Sequence, residues 1–270
     1  MPARLRAHAL IAIGGSKFDA DALAAFTAIE ATGASLTGAQ KAAANTLIVG
    51  MKANSIWTTT DCLYLLLGGT SAAHAVNWRT PGTFNMTWTN SPTHSANGVQ
   101  FGGTSHGRTG YNPSTQSMDA SKCGLFGYIN SVGSGNRPML AAQNNPAPSE
   151  FLLIHNVANE LIAQIGDVTA RAGTHPTTTS NGLYVGQRNS TTEIRRWING
   201  TKTTATTPAT STTSVSLEMY AGCYNFDGIP VLYSNARVAL LGLYRNAWSD
   251  AAQTAFNTLV AAYQTALSRA

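Results

Sequence analysis

From Trp57 to Arg245 the apolar residues of this chain fall in short runs separated by Gly, Asn, Pro and Ser, and no helical period interrupts them. That spacing constrains the fold more than any other feature. Strands at such intervals with no helices between them close into an antiparallel sandwich, because a parallel sheet would need a crossover helix between neighbours. The run "DCLYLLLGG" is a buried strand ending at a Gly-Gly turn. In "TFNMTWTN" a period of two points Phe84, Met86 and Trp88 inward and Asn85, Thr87 and Thr89 outward. Further strands are expected in "KCGLFGYIN", "EFLLIHN", "ELIAQIG", "GLYVGQR", "TEIRRWIN", "SVSLEMYAG" and "ARVALLGLY".

Helical periodicity is confined to the two ends. In "SKFDADALAAFTAIEATG" Leu23, Phe26 and Ile29 share one face, and Gly33 supplies a stop. In "TGAQKAAANTLIVGMKAN" Thr37 and Gln40 form a capping-box pair, and Ala44, Leu47, Ile48 and Met51 make an apolar stripe. Both helices are one-sided, so each needs a partner surface, either the rest of the chain or another molecule. At the other end Ser249 caps a helix whose stripe is Phe256, Leu259, Val260, Tyr263 and Leu267. The expected units are a helical segment over 1–56 and a sandwich over 57–270 that includes the last helix.

The threonine-rich stretch after Trp197 bears on that division. "EIRRWIN" alternates as a strand does, Asn199-Gly200 is a hairpin turn signal, and "TKTTAT" suits a return strand. Read this way the stretch belongs to one sandwich; the alternative is a linker between two domains.

Charge and cysteine content narrow the function classes. The formal net charge is +5, yet the cations lie singly along the chain, and Arg195-Arg196 is the one adjacent pair. Nucleic-acid tracking needs clustered cations, so no nucleic-acid partner is expected. Charged residues are only 11% of the chain, against about 25% in an average soluble protein, and hydroxyl and amide residues take their place. Cys62, Cys123 and Cys223 stand far apart in apolar surroundings and read as buried free thiols. No stretch approaches 18 apolar residues, so no membrane insertion is expected. The start, "MPARLRAHALIAIGGS", imitates a signal peptide, but its apolar run is short and no cleavage pattern follows, which favours a docking arm.

Several segments, in this order, resemble one known group: "IWTTTDCLYLLLGGTSAAHAVNWRTPGTFNMTWTN", "THSANGVQFGGTSHGRTGYNPST", "NGLYVGQRNST" and the closing "ARVALLGLYRNAWSDAAQTAFNTLVAAYQTALSRA". The set is similar to the concanavalin A-like (laminin-G-like) jelly-roll proteins of tailed bacteriophages and prophages, over roughly residues 17 to 270. The resemblance implies a mainly β, concanavalin A-like jelly-roll sandwich with two short N-terminal helices and a C-terminal helix. It further implies a virion structural protein, decorating the capsid or associated with a fibre or tail, with other virion proteins as partners. A homo-oligomer, and within that a trimer, is implied in the same way. Arg4 and Arg6 in the arm, with Leu23, Phe26, Leu47 and Met51 on the helix stripes, are then the docking candidates.

Chemistry finds little purchase in the residues. Retaining glycosidases need two carboxylates about 5–5.5 Å apart, and no two acids sit at i, i+2 in any expected strand. Tyr128, His155 and Arg137 supply lyase residue types without a matching pattern. His74, His94 and His106 have no compact metal-ligand spacing and read as solvated loop residues. Asp227 in "YNFDG" is a lone carboxylate and a weak calcium ligand at best. No catalytic residue, cofactor or metal is therefore expected, and a polysaccharide-degrading enzyme is the third-ranked reading. The second is a lectin-like protein that binds a host-surface glycan. Its platform would be Trp197 with Arg195, extended by Tyr184 and Arg188, unless the Trp197 ring lies beneath one of the terminal helices.

Overall fold

The computed structural model describes residues 17–133, 137–145, 150–155, 160–166, 175–176, 181–206 and 213–269. Arg4 and Arg6 lie outside the described residues. Among the described residues there are four α-helices, α1 (Ala20–Glu30), α2 (Gly38–Ala53), α3 (Ser71–Ala75) and α4 (Asp250–Ala266). The expected capping box is present at α2: Gln40 N donates to Thr37 Oγ1 at 3.1 Å, and Thr37 N donates to Gln40 Oε1 at 2.9 Å. Ser249 Oγ caps α4 by accepting from Ala252 N at 3.1 Å. The short α3 lies in "TSAAHAV", where no helix is expected from the sequence.

The strands form two sheets. In the first, the path runs Thr201–Thr206, Glu193–Ile198, Gly182–Ser190, Cys123–Ser131, Arg237–Arg245, Gly98–Gln100, Thr93–Ser95, with Thr60–Tyr64 also pairing to Arg237–Arg245. In the second, it runs His175–Pro176, Glu160–Ile165, Glu150–His155, Arg137–Gln143, Tyr220–Ala221, His106–Arg108, Thr87–Thr89. The chain is a mainly β two-sheet sandwich with helices added. Asn199 (φ 49°) and Gly200 (φ 83°) both occupy the left-handed region that a two-residue hairpin demands. Thr201 pairs with Ile198 and Thr206 with Glu193, so the threonine run through Thr206 is the return strand. Two expected strands are shorter than their pattern suggests. Only Thr87–Thr89 of "TFNMTWTN" pairs, since Phe84 turns the backbone at φ 56°, and only Tyr220–Ala221 of "SVSLEMYAG" pairs.

The first sheet is buried on both faces. Tyr64, Leu125, Tyr184, Ile194 and Leu243 point toward the second sheet. Leu63, Phe126, Val185, Trp197 and Tyr244 point the other way, onto α1, α2 and α4. This three-layer order explains why "DCLYLLLGG" is continuously apolar rather than alternating, since each side of the strand meets a core. It also corrects the docking assignment. Phe26, Leu47 and Met51 are 3%, 1% and 0% exposed within the helix–sheet core, and Leu23 is half-buried against it. The partner surface these stripes require is the chain's own sheet, and one apolar cluster runs across the 56/57 boundary.

Candidate binding pocket at Trp88 and His94

The proposed sugar platform on the hairpin is not a surface. Trp197 is 4% exposed, because the face it shares with Glu193 and Arg195 is the one that α4 covers. Arg195 is held by Glu193 and, from Nη1, by Asp250 Oδ1 at 3.0 Å, while Lys202 Nζ reaches Asp250 Oδ2 at 2.6 Å. These partners raise the Arg195 pKa and lower that of Asp250. Tyr184 and Arg188 do share a face with each other, but it is the inner one, and both are 0% exposed. Arg188 donates from Nη1 to Ile165 O and from Nη2 to Thr191 O, each at 2.6 Å, and from Nε to Ser190 O at 3.1 Å. A guanidinium committed to backbone carbonyls ties the two sheets together and reads no ligand.

An open cavity of about 580 Å³ lies elsewhere, between α3 and the segment 86–94. Its apolar part is Trp88, with Met86 behind it, and its polar rim includes Ser71, Asn90, Ser91 and His94. Trp88 is placed by three features. It pairs across the strands with Gly107, where any Cβ would sit 2.7 Å from the indole, so the ring lies against bare backbone. Its Nε1 donates to Ser71 O at 2.8 Å, which ties the ring to α3. The His94 ring meets it edge-on with centroids 4.8 Å apart. Half-buried in this way, the indole is held in one orientation while still lining the cavity.

The rim is equally defined. Asn90 and Ser91 adopt φ of 54° and 49° in succession, a conformation that side chains other than Gly rarely take and that concentrates at functional sites. Asn90 Nδ2 donates to Thr104 Oγ1 at 2.8 Å, and its Oδ1 carries no protein partner among the described residues. His94 Nδ1 meets His74 Nδ1 at 3.0 Å, which one proton must bridge. His74 is fully buried and its Nε2 has no partner among the described residues. A bare lone pair there costs less than a buried N–H, which assigns the bridging proton to His74 and leaves His94 with Nε2–H as a donor. Burial, with the His94 and Arg269 charges beside it, pushes His74 down to about 3, and burial lowers His94 as well. Both imidazoles are neutral at pH 7.

The histidines therefore depart from the solvated loop residues expected of them. His74 is buried, His94 is half-buried and His106 is 4% exposed, stacked on Tyr220 at 5.2 Å. No spacing rule connects residues 74 and 94; what joins them is α3 folding against the Thr93–Ser95 strand. Among the described residues no three His, Cys, Asp or Glu side chains cluster as metal ligands, and Asp227 stands in an exposed turn. The three thiols are free and buried, and burial pushes Cys223 up to about 12. Among the described residues no helix is long and apolar enough to cross a membrane.

A cavity with one oriented aromatic face, an open amide acceptor, a ring N–H donor and hydroxyls suits a polyhydroxylated ligand. Among the described residues its lining carries no carboxylate. No protein-family model matches the chain, and no curated protein matches it. Solved structures do resemble it. A mutant of Trypanosoma rangeli sialidase displaying trans-sialidase activity aligns with 83% of this chain and 39% of its own length, at 12% identity and a TM-score of 0.51. Trypanosoma rangeli sialidase in complex with sialic acid aligns over 81% and 39%, at 13% identity and the same TM-score. The chain thus spans well under half the length of those sialidases, and at such identity the likeness is one of fold. A CBM40 domain of Ruminococcus gnavus IT-sialidase, bound to α2,3-sialyllactose, aligns with 53% of this chain and 85% of its own at 13% identity, with a TM-score of 0.41.

Proposed function

We propose that this protein is a non-catalytic, lectin-like sandwich that binds a glycan in the Trp88 cavity. The observation that carries the reading is the fixed indole between Gly107 and Ser71 O, facing a cavity rimmed by Asn90 and His94. Sugar rings stack on such faces, and neighbouring amides and ring N–H groups read their hydroxyls. The sialidase and carbohydrate-binding neighbours support it by analogy of fold only. Trp88→Ala is expected to weaken glycan binding at least tenfold on an array or by calorimetry, while Trp197→Ala loses stability and not the binding of its folded fraction. Binding that survives Trp88→Ala at full strength sinks the assignment.

The sequence resemblance supports a second reading of context: a homo-oligomeric phage virion protein that displays this sandwich. The buried helix stripes cannot serve as its docking surface, so attachment would use other residues. Quantitative mass spectrometry of purified particles tests this. Hundreds of copies per particle would fit a decoration protein, a few dozen or fewer a tail or vertex component, and none would refute the virion role.

A further inference from the structure

At the end of the sandwich where the Thr60–Tyr64 strand begins, a second cavity of about 310 Å³ is lined by Thr58, Thr60, Asp61, Arg79, Tyr111 and Arg245, among others. None of these residues was singled out by sequence, and none belongs to the Trp88 cavity. Its chemistry is also different. Where the first cavity is neutral and carries a stacking face, this one is built around two guanidinium groups.

Both groups are anchored by their Nε atoms. Arg79 Nε donates to Trp57 O at 3.1 Å, and its guanidinium lies 5.3 Å from the Trp57 ring centroid. Arg245 Nε donates to Asp61 Oδ1 at 2.7 Å, and Tyr111 Oη donates to the other carboxylate oxygen, Asp61 Oδ2, at 2.5 Å. Among the described residues no protein acceptor takes the terminal nitrogens of Arg79, while Arg245 also interacts with the Tyr111 hydroxyl beside Asp61. Each Asp61 carboxylate oxygen accepts one of these donors and its side chain is 11% exposed, whereas the Arg245 side chain is 43% exposed. The cavity therefore presents two anchored guanidinium groups, of which the Arg79 fork is open, a net charge of one positive unit and a fringe of threonine hydroxyls.

We propose that this cavity binds the carboxylate of a small acidic sugar. A guanidinium with Nε already occupied meets a carboxylate through its remaining N–H groups in a planar, bidentate fashion. One net positive charge matches a monoanion; a phosphate dianion would face the Asp61 carboxylate uncompensated. The threonine hydroxyls then take the hydroxyls of the same ring, and the volume is at the small end of ligand pockets, about 300–1,000 Å³. The site stands independently of the Trp88 cavity.

The test is a titration of the full chain with sodium glucuronate, glucose and inorganic phosphate, followed by the Trp57 and Trp88 indole NH resonances. Trp57 is the reporter for this site because Arg79 lies over it. Glucuronate is expected to shift Trp57 saturably, with glucose and phosphate at least tenfold weaker. Arg79→Gln is expected to abolish the shift, Arg79→Lys to recover it only in part, and Trp88→Ala to leave it unchanged. Arg79 is half-buried at the cavity rim, and unchanged remaining indole resonances verify that these variants keep the fold. A Trp57 shift that persists in Arg79→Gln, equal binding of glucose, or equal binding of phosphate overturns the proposal. Loss of the Trp88 response with the Trp57 response intact would remove the lectin reading of the first cavity and leave this site standing.

Discussion

His74 couples acid to unfolding. In the unfolded chain it takes a proton near its ordinary value of 6.5, but in the folded chain burial holds it neutral down to about 3. Its contribution to stability is therefore complete above 6.5 and is lost progressively as the pH falls toward 3, by at most about 1.4 kcal/mol per pH unit for one proton. Protonation would also place an N–H on the buried Nε2, which has no acceptor among the described residues. Carboxylates such as Asp19, Glu193 and Asp250, held below their ordinary values by Lys52, Arg195 and Lys202 respectively, add a loss of the same sign at lower pH. The interval from about 6.5 to 4.5 isolates the histidines. Urea denaturation across it is expected to show falling stability, and His74→Phe is expected to flatten the slope. An unchanged slope in that variant would mean another group carries the effect.

The elements differ in how far their own residues specify them. α2 and α4 are written locally: Thr37 with Gln40, Ser249, and stripes at helical spacing suffice, and all of these occur in the structure. The Asn199-Gly200 hairpin is equally local, because a two-residue turn with both φ positive is a property of those two residues. What covers a face is not local. The strand Glu193–Ile198 does alternate, with Ile194 and Ile198 inward, but nothing in it says that α4 will lie over Trp197. A tryptophan flanked by arginines looks the same whether its outer face meets water or a helix. Trp88 shows the converse. Its alternation with Met86 reads as a core position, and only the pairing with Gly107 and the bond to Ser71 O turn it into a cavity wall. The candidate site was therefore largely illegible, since it depends on contacts between residues 71, 88, 94 and 107 that no spacing encodes.

The three layers set the cooperativity of the whole molecule. The helix layer is assembled from both ends of the chain, α1 and α2 from the start and α4 from the finish, on one face of the first sheet. Tyr263 Oη donates to Leu65 O at 3.0 Å, so the last helix is also bonded to the strand region that opens the sandwich. Without the helices that sheet would expose Phe126, Val185, Trp197 and Tyr244 together, an apolar face far larger than a soluble domain leaves in water. The helices and sandwich are thus expected to unfold as one unit, although the sequence pattern changes period between them. Calorimetry should give a single transition whose calorimetric and van't Hoff enthalpies agree. Met51→Asp, placing a charge at a position with 0% exposure, is expected to cost about 4 kcal/mol or more. It should lower helical circular dichroism and tryptophan fluorescence transitions to the same midpoint. If the fluorescence transition of the sandwich instead kept its native midpoint while the helical signal melted early, residues 1–56 would be an independent unit and a free helical face would return as a docking surface. The shared core at Met51, Trp197 and Phe256 argues for the coincident result.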